Sequence, residues 1–169
     1  MIGRRGKTPW LTIVSPLLTN RSRRAPLSTS RRVATLGVMH EDKLAILERL
    51  NRYLLSIDTH DDAAFADNFH EDGVYVSPFG TASGREQILA TIHQWHTGGI
   101  TAGKRHMIGP WQIDVDGPNA TSTSSYWVVN AKEGTAVVAT GTYTDELTRK
   151  NGVWKLQKRV QTIDPSFKM

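Results

Sequence analysis

Apolar residues recur at three- and four-residue spacing over His40–Thr59, where Leu44, Leu47, Leu50, Leu54 and Ile57 form one stripe. That period predicts an amphipathic helix. Asp58 follows Leu54 by four residues, which puts it on the same face at the C-terminal end. A carboxylate there opposes the helix dipole and calls for a compensating partner. Thr59-His60-Asp61 breaks and re-caps the chain. A second, short helix is predicted over Asp61–Phe69, carrying Ala63, Phe65, Ala66 and Phe69. His70-Glu71-Asp72-Gly73 reads as a turn and Val74–Ser77 as a short strand that Pro78 ends, since proline cannot donate to a ladder. Ser83-Gly84-Arg85-Glu86 has the spacing of a capping box. The helix it opens runs to about Trp95, with Ile88, Ile92 and Trp95 on one face. His96–Gly103 reads as a glycine-rich loop.

After Lys104 the period changes to two. Segments near Arg105–Asp116, Ala120–Lys132, Thr135–Arg149 and Gly152–Thr162 are rich in Val, Thr, Trp and Tyr. Asp116-Gly117-Pro118-Asn119, Glu133-Gly134 and Asn151-Gly152 between them carry turn chemistry. Four long strands in an antiparallel meander, preceded by three helices and one short strand, predict an α+β fold. In it a curved antiparallel sheet carries three helices packed on one face, forming a cone with an internal pocket.

Charge divides the chain. The 169 residues hold 21 Lys+Arg and 16 Asp+Glu, a formal net charge of +5. Residues 1–38 contain eight of the basic residues and no acid, so the tail carries +8 and residues 39–169 carry −3. The basic balance therefore says nothing about a ligand of the body. Three readings of the tail stay open: an over-extended start with Met39 as the functional one, an organellar transit segment, and a basic arm for polyanions. No aromatic interleaving or groove-reading motif supports the arm. Residues 1–38 are expected to be structureless and 39–169 to form one domain. No run is apolar enough for a transmembrane helix. The absence of cysteine removes disulfides, thiolate metal sites and a Cys nucleophile. His93-x-x-His96 spans one helical turn, but no third ligand is evident and no metal is expected. Neither a phosphate-binding glycine loop nor a G-x-S-x-G elbow is present.

The order helix–helix–strand–helix–meander combines with Asp58-x-x-Asp61, Phe69-x-x-Asp72-Gly-Val-Tyr, Gly84-Arg85-Glu86, Arg105-His106, Asp116-Gly117, Ala120 and Trp154-Lys155. This pattern, over residues 40–164, resembles the SnoaL-like branch of the nuclear-transport-factor-2-like cone fold. The superfamily includes polyketide cyclases, scytalone dehydratase, ketosteroid isomerase and the small subunit of ring-hydroxylating dioxygenases, so the fold does not settle the function. Against ketosteroid isomerase, Tyr53 falls where a helix tyrosine belongs, but Ser77 replaces the acid before proline and the second acid falls near Thr144. Against scytalone dehydratase, Ser56-Ile57-Asp58-Thr59-His60-Asp61 and His106-Met107-Ile108-Gly109 match the segments holding its paired aspartate and histidine. Ile57, Ala131 and Tyr143 fall where its other polar residues stand.

The resemblance thus implies an Asp58–His106 dyad. Histidine titrates in the range suited to proton abstraction near neutral pH, and a carboxylate on its other nitrogen fixes the tautomer. The plainer alternative is a satisfied core histidine beside a helix-end carboxylate. Tyr53 and Tyr143 are candidate donors to a substrate oxygen, and singly each also suits an amphipathic core position. Trp95, Trp127, Val76 and Phe79 are the candidate pocket lining. Trp95, Trp111 and Trp127 either line an aromatic ligand's pocket or fill core and dimer surface, core being the plainer reading. Arg159 either pairs with a pocket acid or faces solvent. The expected function is cofactor-independent proton transfer (isomerisation, cyclisation or dehydration) on an aromatic or polyketide-type carbonyl compound. The alternative is a non-catalytic binding or accessory module. Either is expected to be a cytoplasmic homodimer with a small-molecule ligand, without nucleic acid or membrane, the basic tail leaving organellar targeting open.

Overall fold

Nine elements follow one another in the computed structural model, which describes residues 29–132 and 134–165. They are α1 (Thr29–Thr59), α2 (Asp62–Asp67), β1 (Phe69–Ser77), β2 (Gly80–Ser83), α3 (Arg85–Thr97), β3 (Lys104–Asp116), β4 (Asn119–Asn130), β5 (Val137–Lys150) and β6 (Val153–Ile163). The strands form one curved, unclosed sheet in the order β2-β1-β6-β5-β4-β3. All pairings are antiparallel except β1 with β6. The three helices pack on one face of the sheet, giving the α+β cone expected from the element order. Among the described residues no helix is long and apolar enough to cross a membrane.

Helix α1 starts at Thr29, so ten residues expected to be structureless are helical; residues 1–28 lie outside the described residues. The buried face of α1 is Ile46, Leu50, Tyr53, Leu54 and Ile57, whereas Leu44 is 68% exposed. The predicted stripe holds at Leu50, Leu54 and Ile57, with Leu47 packed partly buried against the core, but Leu44 faces out and Ile46 and Tyr53 join the buried face. Asp42 anchors the helix to the sheet: its Oδ1 accepts from Arg149 at 2.6 Å and from the Trp154 indole at 2.9 Å.

Three local expectations change. The capping box does not form: Gly84 is the N-cap of α3 and makes no side-chain cap bond, while Gln87, not Glu86, reaches back to the Ser83 N–H. His70–Gly73 is strand with a register irregularity rather than a free turn, and β2 pairs back on β1 as an additional hairpin strand. The meander matches its predicted spans to within a few residues, although Glu133 of the expected Glu133-Gly134 turn lies outside the described residues. Asn151 and Gly152 both have positive φ (52° and 78°), the conformation of a type I′ hairpin turn that matches strand twist. Pro110 interrupts β3 at a bulge, where an edge strand tolerates a missing donor.

Candidate active site

Asp58, at the end of α1, meets His106 on β3. The His106 ring nitrogen Nδ1 lies 2.8 Å from Asp58 Oδ1. The His106 backbone N–H also donates to Oδ1 at 3.1 Å and Oδ2 at 3.2 Å. These donors supply the compensation that a carboxylate at a helix C-terminus needs. A carboxylate only accepts, so Nδ1 carries the proton, and in the neutral imidazole this leaves Nε2 with its lone pair. The two side chains are 14% and 12% exposed, so water screens the pair little.

His106 borders a cavity of about 100 Å³ that Tyr53, Tyr75, Tyr126, Tyr143 and Gln161 also line. Tyr126 donates its hydroxyl to the Thr162 carbonyl and accepts from Gln161 Nε2 at 3.0 Å. Tyr75 donates to Gln161 Oε1. The hydroxyls of Tyr53 and Tyr143 are fully buried and make no hydrogen bond of good geometry among the described residues. Burial raises the pKa of Tyr53, with Arg159 pulling it down. Burial and then the neighbouring Tyr53 push Tyr143 well above 10.0, again against Arg159. Both are therefore neutral donors at ordinary pH. A second cavity of about 340 Å³ shares Tyr75, Phe79, Trp95 and Ile100 with the first.

Below the tyrosines lies a fully buried ion pair. Arg159 Nε and Nη2 donate to the two oxygens of Asp145 at 2.7 and 2.8 Å, and Ser122 adds a third bond to Asp145 at 3.2 Å. Burial works against the Arg159 charge, but Asp145 outweighs it and holds the pKa above its usual value. An inward carboxylate thus exists one position beyond Thr144, where none was expected, but it is engaged by Arg159.

His106, Tyr53, Tyr143, Trp95 and Phe79 come together around the first cavity, with Asp58 behind His106. Two expected lining residues do not. Trp127 points to the opposite face, because Tyr126 and Val128 occupy the inward phase of β4; it pairs with exposed Met107. Val76 likewise alternates away from inward Tyr75. Lys104, Thr101, Tyr75, Tyr126 and Gln161 line the cavity without having been singled out. Lys104 was readable in principle, standing two residues before His106 and so on the same strand face.

His93 and His96 both turn to Asp62. Nδ1 of His93 is 2.7 Å from Oδ2, and Nδ1 of His96 contacts Oδ1. His60 stacks on His96 with ring centroids 4.4 Å apart. These contacts join α2 and the α1–α2 connection to the end of α3. Burial raises the Asp62 pKa, but the hydrogen bonds and charges of His93 and His96 outweigh it and leave the carboxyl below its usual value.

Comparison with known proteins places the chain among relatives. Residues 39–160 match the profile of the SnoaL-like domain. No curated protein matches the chain. An NTF2-like protein with a cystatin-like fold from Novosphingobium aromaticivorans superimposes with a TM-score of 0.74 at 26% identity, covering 83% of this chain and 93% of its own. A Nostoc punctiforme protein of unknown function with a cystatin-like fold gives 0.67 at 29%, covering 75% and 93%. A Catenulispora acidiphila protein in complex with S-DNPA gives 0.66 at 22%, covering 75% and 96%, and shares the fold.

Proposed function

The chain belongs to the SnoaL-like domain family, and from that premise we propose that it is a proton-transfer enzyme acting on a small aromatic or polyketide-type carbonyl compound by isomerisation, cyclisation or loss of water. One observation carries this reading: the Asp58–His106 contact of 2.8 Å opens on a cavity that Tyr53 and Tyr143 also line. His106 Nε2 takes a proton from the carbon next to the carbonyl. The C–H electron pair becomes the C=C bond of the enolate as the carbonyl π pair moves onto oxygen, and the enolate oxygen accepts hydrogen bonds from Tyr53 and Tyr143. The imidazolium, steadied by Asp58, returns the proton to another carbon or to a departing hydroxyl. Such a base contributes about 10²–10⁴ in rate. The Catenulispora acidiphila relative binds a compound within the same fold, which agrees with a ligand-holding cavity here. A pure binding module needs the cavity but has no use for the dyad.

The test begins with a thermal-shift screen of the full chain against phenolic and polyketide-like carbonyl compounds, followed by turnover assays on those that bind. His106→Ala is expected to abolish turnover while leaving Tm nearly unchanged. A large loss of stability with turnover retained in proportion to folded protein would instead make His106 a core residue.

A homodimer is part of this reading. Met107 and Trp127, 45% and 38% exposed, pair on the outer face of the sheet and give a second copy an apolar contact. Trp127→Ser is expected to shift the sedimentation coefficient from that of a dimer toward that of a monomer; a monomeric wild type overturns it.

A further inference from the structure

The buried ion pair beneath the cavity holds chemistry that the proposed reaction does not use. Arg159 is fully buried, and its guanidinium carbon lies 4.0 Å from the ring centroid of Tyr53 and 4.3 Å from that of Tyr143. The two rings stand 5.9 Å apart at 79°, so one planar cation serves two aromatic faces. Asp145 fixes the plane of the guanidinium by its two parallel bonds, as a carboxylate does for arginine and cannot do for lysine. On its far side Tyr143 stacks on Tyr126, with centroids 4.4 Å apart. The Tyr143 ring is thus held between Tyr126 and Arg159.

A structural ion pair alone does not account for this placement. Buried pairs are weak sources of stability, and well-packed apolar residues often replace them without loss. Nη1 of Arg159, the hydroxyl of Tyr143 and Oγ of Ser124 make no hydrogen bond of good geometry among the described residues, and the Tyr53 hydroxyl makes none either but interacts with Arg159 and Tyr75. Ser124 pairs in register with Tyr143, and Asp145 with Arg159, so these groups share neighbouring rungs of the sheet. The pattern concentrates unspent donors around the two phenols rather than dispersing them through the core.

We propose that Arg159, oriented by Asp145, is a positioning residue that fixes the Tyr53 and Tyr143 rings and strengthens both hydroxyls as donors toward a ligand in the dyad cavity. A cation on the ring face stabilises negative charge accumulating on the phenol oxygen, and burial makes that effect larger than it is in water. The inference rests on the reading of the tyrosines as ligand donors, but its test does not need turnover. The direction agrees with the charges present: Arg159 acts against burial at both phenols, and the opposing effect of Asp145 is the smaller one at each.

The experiment places a fluorinated tyrosine at position 53 or 143 of the full chain and follows its ¹⁹F shift with pH. Circular dichroism at every point keeps the range to folded protein. Removing Arg159 alone would strand a buried carboxylate, so the main variant is Arg159→Met with Asp145→Leu, which removes both charges together. The titration midpoint at each position is expected to rise by about one pH unit or more. In Arg159→Lys, which keeps a cation but not the planar stack, the midpoint is expected between the two. Midpoints that stay within a few tenths of the unmodified pair overturn the inference. Shifted midpoints in a protein that turns nothing over would sustain it and remove the enzymatic reading. Unshifted midpoints in an active enzyme would do the reverse.

Discussion

Asp58 and His106 meet in the contact on which the proposed chemistry rests. The carboxylate sits where a helix dipole disfavours it, and two donors of one residue, making three hydrogen bonds, hold it there. The buried phenols have a different consequence, felt in stability. Tyr53, Tyr75, Tyr126 and Tyr143 all have pKa values raised above 10.0, burial being the largest cause in each. The unfolded chain loses these protons first, so the native state holds more protons and stability falls as pH rises. The contribution is fully present below about pH 10 and is lost above it. Tyr143→Phe is expected to flatten the alkaline limb of a urea-denaturation series while leaving neutral-pH stability equal or slightly higher, since the hydroxyl has no partner. An unchanged alkaline slope would contradict the burial of an un-ionised phenol.

At the scale of elements, the long meander and the amphipathic first helix were legible because their periods are long and their turns carry Asn-Gly and Asp-Gly chemistry. Phase was less legible than existence. In α1 the expected stripe kept Leu50, Leu54 and Ile57 but wrongly included Leu44, and missed Ile46 and Tyr53 on the buried side. Ile46→Ala is expected to cost about 2–5 kcal/mol by chemical denaturation, and Leu44→Ala to stay within about 0.5 kcal/mol. Equal costs would show that the helix is rotated otherwise. In β4 the inward positions include Ser122 and Ser124, so hydrophobic alternation could not orient Trp127. In β6 the irregular pairing between Glu146 and Leu147 shifts the inward phase from Trp154 and Leu156 to Arg159. Alternation alone therefore could not choose between solvent and pocket for that arginine. Asp145 was readable, standing in phase with Tyr143 and Leu147, but a charged residue in an apolar phase is seen only when its partner is known. Gly141 shows the tightness of the same strands. A Cβ there would lie 1.9 Å from the Thr162 carbonyl oxygen and 2.9 Å from the Tyr126 ring. Gly141→Ala is expected to lower Tm and to displace the Tyr126–Tyr143 stack, read as altered near-ultraviolet circular dichroism.

For the whole molecule, the helices and curved sheet bring residues from α1, β1, α3, β3, β4, β5 and β6 to one cavity. Remote stretches of sequence had to converge for this, which is why the family resemblance, rather than any local motif, pointed to Asp58 with His106. The dyad's distance turns that resemblance into a chemical claim about one nitrogen. The most direct test of it is wash-in of solvent deuterium next to the carbonyl of an enolisable aromatic ketone that the thermal-shift screen shows to bind. The wild-type chain is expected to exchange that position, His106→Ala to fall to the uncatalysed rate, and Asp58→Asn to fall by about 10²–10⁴, with Tm of the His106 variant nearly unchanged. Exchange at the uncatalysed rate in wild type with bound ketone, or full exchange in His106→Ala, would contradict it.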